Sequence, residues 1–256
     1  MIIEVSENRE IFRPMFERHR MGRSVLFQCF DMGLGSIKTD SKEAPTVALY
    51  SFRPFNYVVG DSSSPSAPVL VKSIPAMNIV LTPNEEWTKV VKSEWGDDLI
   101  PMDRTLLNAD TLDLGHIREL KTNLSDDFKV AQLSLTDIED IDNRHIMQIE
   151  MIWGSLEEFE DKNIGFCIKH GETAVSMAYP AFPYNDEFEI QVATLDSLEY
   201  RRKGLATAVS AALIEYALEN ELVPQWDAAN EQSVGLALKL GYTNPEAYQV
   251  YLRRSK

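Results

Sequence analysis

Three consecutive cations, Arg201, Arg202 and Lys203, stand directly before Gly204 in the segment "EYRRKGLATAVSAALIEYALEN" (199–220). Strand-forming residues precede this segment and a long apolar run follows it, so the pattern predicts a helix from about residue 204 to 219. The first amides of a helix have no partner within the helix, and they lie at the positive end of its dipole. A helix start of this kind is therefore suited to binding an anion.

Small and hydroxylated residues continue the pattern into the first helical turn. Gly204 and Ala206 remove side-chain bulk, so a phosphate group can reach the backbone, and Thr207 adds a hydroxyl. A cationic segment within an acidic chain predicts a site for a polyanionic cofactor. The alternative is a helix start with ordinary solvated cations, because short glycine motifs often occur without a ligand.

The chain of 256 residues has a formal net charge of -15, and the acidity is concentrated in its second part. Residues 1–120 contain 13 Lys and Arg against 17 Asp and Glu, whereas residues 121–256 contain 12 against 23. A surface this acidic repels phosphate backbones, so we expect no nucleic-acid partner. It favours cationic small molecules or basic protein segments; the alternative is that the charge serves solubility alone.

Other kinds of chemistry are not indicated by the residue types. The four histidines, His19, His116, His145 and His170, have no ligand-like spacing with cysteine or acidic residues, so we expect no metal. Cys167 lies in an apolar segment and is interpreted as a small buried residue. Two cysteines are too few for a disulfide framework, which favours a reduced, cytoplasmic setting. No apolar stretch is long enough to span a membrane, and the N-terminus does not resemble a secretory signal.

Residues 1–123 are predicted to form a smaller α/β domain. Asn84 is a good cap for a helix whose apolar residues fall on one face. The predicted elements are a helix at 8–19, a strand at 24–32, two strands within 46–60 and helices at 84–96 and 112–121, after which the domain boundary is placed.

Residues 124–256 are predicted to form a second domain with clearer boundaries between its elements. The capping boxes "TDIE" (136–139) and "SLEE" (155–158) predict two helices. The predicted order is β-α-α-β-β-β-α-β-α-β, with strands at 128–135, 164–170, 172–182, 187–195, 223–229 and 247–254, and later helices at 204–219 and 230–241.

Two motifs in this second domain resemble those of the GNAT acyltransferase superfamily. "YRRKGLATAV" is similar to its acyl-CoA motif, Q/R-x-x-G-x-G/A, through Arg201, Gly204 and Ala206. "WDAANEQSVGLALKLGYTN" is similar to its next signature, a strand, an asparagine, a helix and then Leu-Gly-aromatic. The resemblance implies a GNAT fold, an α/β (α+β) architecture with a mixed, mostly antiparallel central sheet flanked by helices.

The whole chain, including "YVVGD" (57–61), resembles the subgroup of zwittermicin A resistance acetyltransferases, which implies a role in antibiotic resistance. The N-terminal domain resembles the degenerate first domain of two-domain GNAT proteins such as the glycine N-acyltransferases. The first domain is thus expected to be a degenerate GNAT-like unit.

The resemblance also implies which residues bind acetyl-CoA as the acyl donor. The backbone of 202–207 is expected to hold the pyrophosphate. The strand at 192–195 is expected to separate from its neighbour and pair with the pantetheine, and a free amide there could stabilise the developing oxyanion. Asn230 and Ser233 are expected to line the cofactor, although Asn230 could equally be a plain helix cap. The implied cofactor-binding residues are Val192, Ala193, Thr194, Arg201, Arg202, Lys203, Gly204, Leu205, Ala206, Thr207, Asn230 and Ser233.

An acetyltransferase needs a group that accepts a proton from the amine, because a free amine with a pKa of about 10 is protonated at pH 7. Glu187 and Glu189 share one face of a predicted strand, and Glu189 lies at about the position of a glutamate base in some GNAT enzymes. The alternative for Glu189 is a surface carboxylate. Many GNAT enzymes protonate the leaving thiolate with a tyrosine seven residues after the signature asparagine, but here that residue is Ala237. Tyr242, Tyr248 or water could substitute, although packing in the core is the alternative for both tyrosines.

Two functions are consistent with these residues. The first is an acetyl-CoA-dependent N-acetyltransferase that acts by direct attack of a small, cationic amine on the thioester. The second is a non-catalytic acyl-CoA-binding GNAT-like regulatory protein, which the absence of the tyrosine at Ala237 favours.

Overall fold

The computed structural model describes residues 2–5 and 7–255, and contacts between Cα atoms divide the chain into two compact units. The first unit comprises Met1–Arg104 and Ala247–Lys256, and the second comprises Thr105–Glu246. The sequence boundary at 123/124 stays a prediction. Residues 105–123 belong to the second compact unit because Ile117 is buried in its core beside Ile214 and Leu240.

The elements of the N-terminal part alternate between strands and short helices. A 3-10 turn at Arg9–Phe12 precedes the first α-helix. The strands are β1 (Ile3–Val5), β2 (Ser36–Thr39), β3 (Val47–Phe52), β4 (Phe55–Gly60), β5 (Ile79–Leu81) and β6 (Leu99–Asn108); the helices are α1 (Arg13–Phe16), α2 (Arg23–Asp31), α3 (Ala67–Ser73) and α4 (Glu85–Trp95).

The elements of the C-terminal part include the longest helix of the described chain, α9. The strands are β7 (Phe128–Gln132), β8 (Phe166–His170), β9 (Thr173–Tyr184), β10 (Glu187–Thr194), β11 (Val223–Ala228) and β12 (Thr243–Arg253); the helices are α5 (Leu114–Thr122), α6 (Leu135–Asp142), α7 (Arg144–Trp153), α8 (Leu156–Lys162), α9 (Leu205–Glu219) and α10 (Glu231–Leu240). Among the residues described, no helix is both long enough and apolar enough to cross a membrane.

The two units have the same strand order. In the first, β1 to β4 pair antiparallel in sequence order, β4 pairs parallel with β5, and β5 pairs antiparallel with the end of β12. In the second, β7 to β10 pair antiparallel in sequence order, β10 pairs parallel with β11, and β11 pairs antiparallel with the end of β6. Each unit therefore contains the same mixed, mostly antiparallel sheet, and the last strand of each is supplied by the other half of the chain.

The core of the second unit forms where α9 packs on its sheet. Leu205, Val209 and Leu213 of α9 are buried against Phe188 of β10 and Ile168 of β8. Ten of the fifteen α9 residues are buried, and several are alanines, so this helix is enclosed on most of its surface. Burial of this apolar helix fixes the position of its N-terminus, and therefore of the loop that precedes it.

Most predicted elements are confirmed. Asn84 caps α4, with its side chain accepting from the Trp87 amide at 3.0 Å, and Ser155 caps α8 in the same way through the Glu158 amide. The two strands predicted within 46–60 are β3 and β4. The central order β-β-β-α-β-α-β of the second domain is β8 to β12 with α9 and α10.

Three expectations were wrong. The segment 24–32 is a helix, α2, because residues 24–30 are all buried and β-forming side chains are tolerated in a fully enclosed helix. The first capping box consists of Ser134 and Asp137, two residues before the predicted start, so α6 begins at Leu135. A third helix, α7, lies between the two predicted ones; its N-cap, Asn143, makes no side-chain capping bond.

Candidate functional site

The loop between β10 and α9 leads into the helix through two residues with left-handed backbone. Arg202 has φ 57° and Gly204 has φ 79°, and Gly204 is the N-cap of α9. A Cβ at Gly204 would meet only the Asn123 carbonyl oxygen, at 4.0 Å. The protein therefore leaves open the space in front of the helix, and its backbone angle favours glycine.

The first amides of α9 face this open space. The first helical hydrogen bond is donated by the Ala208 amide to the Gly204 carbonyl at 2.9 Å. The amides of residues 205–207 precede that bond, so they are available to an anion at the positive end of the helix dipole. Ala206 is partly exposed and Thr207 is buried, so the first turn has one side towards the solvent and one towards the core.

An open cavity of about 780 Å³ lies at this helix start. Its lining includes four cations and one carboxylate, so the local charge is positive although the whole chain is acidic. The lining residues are Thr194, Leu195, Asp196, Tyr200, Arg201, Arg202, Lys203, Gly204, Leu205, Ala206, Thr207, Gln232 and Lys239. All the predicted residues from 201 to 207 are brought together here.

The loop is held by contacts on both sides. The Arg201 guanidinium pairs with Asp196, an exposed pair of little value for stability. The Lys203 ammonium lies 5.5 Å from the centre of the Phe128 ring. The Tyr200 hydroxyl lies 3.3 Å from Nδ1 of His170 on β8. These contacts orient the cationic segment over the sheet that precedes α9.

The edge of β10 that faces β11 is paired over only part of its length. The parallel pairing covers Glu187–Glu189, while β10 continues to Thr194. The Leu195 amide donates to Val175 of β9 at 2.9 Å. Because main-chain groups alternate along an antiparallel strand, the N–H and C=O groups of Val192 and Thr194 point to the opposite edge, where β11 has diverged. The structure thus has an open strand edge next to the cavity.

The side chains of this segment are anchored to β9. Ser176 Oγ donates to the Ala193 carbonyl at 3.1 Å and lies 2.8 Å from the Thr194 hydroxyl. Val192 packs against the α9 core and Ala193 against the opposite face of the sheet. The open edge is therefore anchored by side-chain contacts to β9, while the main-chain groups of Val192 and Thr194 face away from β9.

Glu187 and Glu189 lie on one face of β10, next to an irregularity in the pairing with β9. Two residues, Phe182 and Pro183, lie between Ala181 and Tyr184 on β9, opposite the single residue Phe188 on β10, and Phe182 in this bulge has φ 49°. Glu187 accepts from the Gln225 amide nitrogen at 3.0 Å. Bulges re-aim side chains and are common beside active sites.

Glu189 lies near the phenol of Tyr242. Burial raises the pKa of Tyr242, and the negative charge of Glu189 raises that pKa further. The Tyr242 hydroxyl donates to the Pro224 carbonyl at 2.7 Å, and its ring packs 5.4 Å from that of Trp226. These contacts fit the core-packing interpretation of Tyr242, since its proton is engaged and its pKa is unsuited to proton donation at neutral pH.

Asn230 and Ser233 have structural partners at the start of α10. Asn230 accepts from the Ser233 amide at 2.9 Å as the N-cap, and Ser233 Oγ accepts from the Trp226 indole at 3.0 Å. Neither side chain lines the cavity. Ala237 is fully buried on the same helix, beside Leu240. The role of Asn230 and Ser233 in cofactor binding stays a prediction.

Four lining residues were missed by sequence reasoning: Asp196, Tyr200, Gln232 and Lys239. Gln232 and Lys239 lie on α10, and Lys239 Nζ lies 3.4 Å from the Thr207 hydroxyl of α9. The available signal was the spacing of seven residues between Gln232 and Lys239, which puts two polar side chains on one face of a helix.

Within residues 2–5 and 7–255, no group of three or more His, Cys, Asp or Glu residues could hold a metal ion.

A model of the GNAT acetyltransferase family matches residues 13–251 of the chain. The chain is also 36% identical over 104 residues to the uncharacterized N-acetyltransferase YdfB of Bacillus subtilis (strain 168). This match covers 40% of the chain and spans only 39% of the length of that relative.

Solved structures are similar over almost the whole chain. A GCN5-related N-acetyltransferase-like protein from Streptococcus suis 89/1591 is 28% identical, with a TM-score of 0.76, and the match covers 96% of this chain and 98% of that one. A tandem GNAT protein from the clavulanic acid biosynthesis pathway has a TM-score of 0.58 at 10% identity, with coverage of 98% and 97%. The second likeness concerns the fold alone, and it agrees with the repeated strand order.

Proposed function

The chain belongs to the GNAT acetyltransferase family, and on that basis we propose that it moves the acetyl group of acetyl-CoA directly to the amine of a small, cationic acceptor. The observation that supports this most strongly is the cationic cavity at the α9 start, directly beside the open edge of β10. The first feature suits a pyrophosphate, and the second suits an extended arm with amide groups.

The residues of the site fit the donor. The phosphates would be held by two sets of groups, the amides of residues 205–207 and the side chains of Arg201, Arg202 and Lys203. Both sets bring positive charge to a space that Gly204 leaves open. The Val192 carbonyl and the main-chain groups of Thr194 would pair with the pantetheine amides in the manner of an added strand. When bound, acetyl-CoA supplies the acetyl group.

Proton transfer is assigned to Glu189. Its carboxylate would accept a proton from the ammonium form of the acceptor, directly or through a water molecule, so that the neutral amine can attack the thioester carbonyl. The Val192 amide would donate to the carbonyl oxygen as negative charge develops there. The C–S bond then breaks, the nitrogen of the intermediate gives its second proton to water, and the thiolate takes a proton from that water, because Ala237 has no proton to give.

The acceptor is proposed to be cationic because the second part of the chain is strongly acidic outside the cavity. The similarity to zwittermicin A resistance acetyltransferases suggests that an antibiotic amine is an acceptor, and we propose a cytoplasmic role. These proposals add a class of acceptor and a cellular location to the acetyl transfer that is general for the family.

Two measurements test the proposal. Calorimetry with acetyl-CoA should give saturable binding, and incubation of a cell extract with the protein and labelled acetyl-CoA should yield a labelled N-acetyl product by mass spectrometry. Binding without turnover on any amine would favour the non-catalytic function that Ala237 suggests. Absence of binding would reject both.

A further inference from the structure

Among the described residues that line the cavity, Asp196 is the one that carries a carboxylate. The same space is lined by four cations, Arg201, Arg202, Lys203 and Lys239. A negative charge there lowers the positive potential that attracts a phosphate. The Asp196 side chain is 82% exposed, so burial does not explain why a carboxylate lies at this place. The cavity therefore contains one group that opposes the binding of a polyanion.

A short turn places Asp196 beside Arg201. The amides of Tyr200 and Arg201 both donate to the Ser197 carbonyl, at 3.1 Å and 3.2 Å. The Ser197 amide in turn donates to the Leu195 carbonyl at 2.9 Å. These bonds join main-chain groups, so the turn is closed without the Asp196 carboxylate. Replacing that carboxylate by an amide of the same shape should therefore leave the loop in place.

The carboxylate occupies the edge of the guanidinium that is best suited to a phosphate. Arg201 Nε donates to Asp196 Oδ1 at 3.1 Å, and Arg201 Nη2 donates to the same oxygen. This pair of N–H groups can bind a carboxylate or a phosphate through two parallel hydrogen bonds. A phosphate can use the same two donors only after Asp196 has left them. Both side chains are more than half exposed, so the ion pair adds little to stability and opens easily.

We propose that Asp196 is an internal competitor of the acyl donor, which holds the Arg201 guanidinium until a phosphate of the donor replaces it. This inference rests on the proposed function, because it takes the anion to be the pyrophosphate of acetyl-CoA. The exchange of partners uses part of the binding free energy, so the protein binds the donor more weakly than its cations would allow. The product CoA carries the same phosphates, so Asp196 also weakens product binding and favours its release.

The test is the affinity of Asp196→Asn for CoA and for acetyl-CoA, measured by calorimetry at fixed ionic strength. Both ligands should bind roughly 3- to 10-fold more tightly, because no ion pair has to be broken and one repulsion is removed. A role for Asp196 in holding the loop would have the opposite effect, since its loss would disorder the site. Unchanged or weaker binding of both ligands would overturn the proposal.

Glu199→Gln is the matched control. It lies in the same loop, is 57% exposed and gives the same change in net charge, but its carboxylate faces His170 Nδ1 at 3.8 Å and lies outside the lining of the cavity. Its affinity for CoA should stay within about twofold of the native value, because exposed charges away from the ligand are screened. An equal gain in Glu199→Gln and Asp196→Asn would reduce the effect to net charge and overturn the proposal.

A double-mutant cycle tests whether Asp196 acts through Arg201. Arg201→Gln alone should weaken CoA binding, and in that background Asp196→Asn should lose most of its gain, because no guanidinium is left to compete for. The same gain in both backgrounds would show that the two side chains act independently and would reject the competition.

The role in product release is tested by the rate of CoA dissociation, measured by stopped-flow displacement. Asp196→Asn should release CoA more slowly by about the factor by which its affinity rises, since most differences in affinity lie in the dissociation rate. A dissociation rate equal to that of the native protein would reject this role. Failure of the native protein to bind CoA at all would instead reject the proposed function.

Discussion

The substitution Gly204→Glu places bulk and a negative charge where the phosphate is expected, and it should abolish acetyl-CoA binding. The substitution is sterically permitted by the protein, since a Cβ would meet only the Asn123 carbonyl at 4.0 Å. Any effect on binding therefore comes from the ligand site rather than from a clash within the fold.

The cost to stability is small. A non-glycine residue in the left-handed region costs roughly 1–2 kcal/mol. A carboxylate at a helix N-terminus returns roughly 0.3–1 kcal/mol through the helix dipole. The net loss is about 1 kcal/mol, which lowers the melting temperature by about 2–4 °C in a unit of this size.

The effect on binding is much larger. Two like charges about 4 Å apart repel by about 4 kcal/mol in the effective dielectric of a protein surface. A repulsion of this size weakens binding by about 1,000-fold. The added side chain also covers the amides of residues 205–207, which contributes in the same direction.

Calorimetry on the folded variant decides the question, and Gly171→Glu is its control. Gly171 also has a positive φ, of 62°, with no atom within 4 Å of an added Cβ, and it lies in the turn between β8 and β9. The control therefore has a similar cost in stability and the same added charge, but should bind acetyl-CoA normally. If Gly204→Glu binds within about threefold of the native protein, the loop is an ordinary helix start and the reasoning is refuted.

Three further outcomes are expected. Glu189→Gln should lower kcat by about 100-fold or more and remove the rise of the rate with pH, with little change in acetyl-CoA affinity. Its control, Glu187→Gln, should have only a small effect on kcat. A near-normal kcat in Glu189→Gln would place the base elsewhere. The apparent KM of a cationic amine should rise with ionic strength while that of a neutral analogue does not, and a preference for anionic acceptors would contradict this. Burial lowers the pKa of His19 from 6.5 to about 4 although its ring bonds the Val58 carbonyl, so only the unfolded chain takes up a proton between these values. The free energy of unfolding should thus fall by about 3 kcal/mol as pH decreases from 6.5 to 4. Denaturant titrations of the native protein and His19→Gln across this range test it, since a parallel decline in both would exclude His19 as the cause.

Elements with a local start signal were predictable from the sequence. Asn84, Ser155 and Gly204 each mark a helix that the structure contains at that place. In each case a short-range interaction specifies the helix start: a side-chain cap, or a glycine that adopts positive φ. Signals between neighbours in sequence therefore located these helices, although the capping box of α6 lies two residues before the predicted one.

Elements specified by long-range packing were not predictable in the same way. In α2, residues 24–30 are buried on all sides, so the apolar pattern has no helical period and β-forming side chains suggested a strand. The start of α7 lacks a capping interaction, so nothing local marked it. The same limit applies to the site, because Lys239 reaches Thr207 only through the packing of α10 beside α9.

The two units also show why the strand order alone could not identify the site. In the first unit, the segment "DSSSPSAP" (61–68) joins β4 to α3 at the place where the cationic loop joins β10 to α9 in the second. Asp61 accepts from the hydroxyl and amide of Ser63, which holds the pKa of that carboxyl below its usual range. Pro68 lies in the first turn of α3 and has no amide hydrogen to donate. The first unit therefore presents a carboxylate and fewer donors to an anion, whereas the second presents cations and a glycine. Because the same strand order carries loops of opposite charge, we expect only the second unit to bind a phosphate, and we infer that the function resides in the loop residues and not in the sheet that holds them.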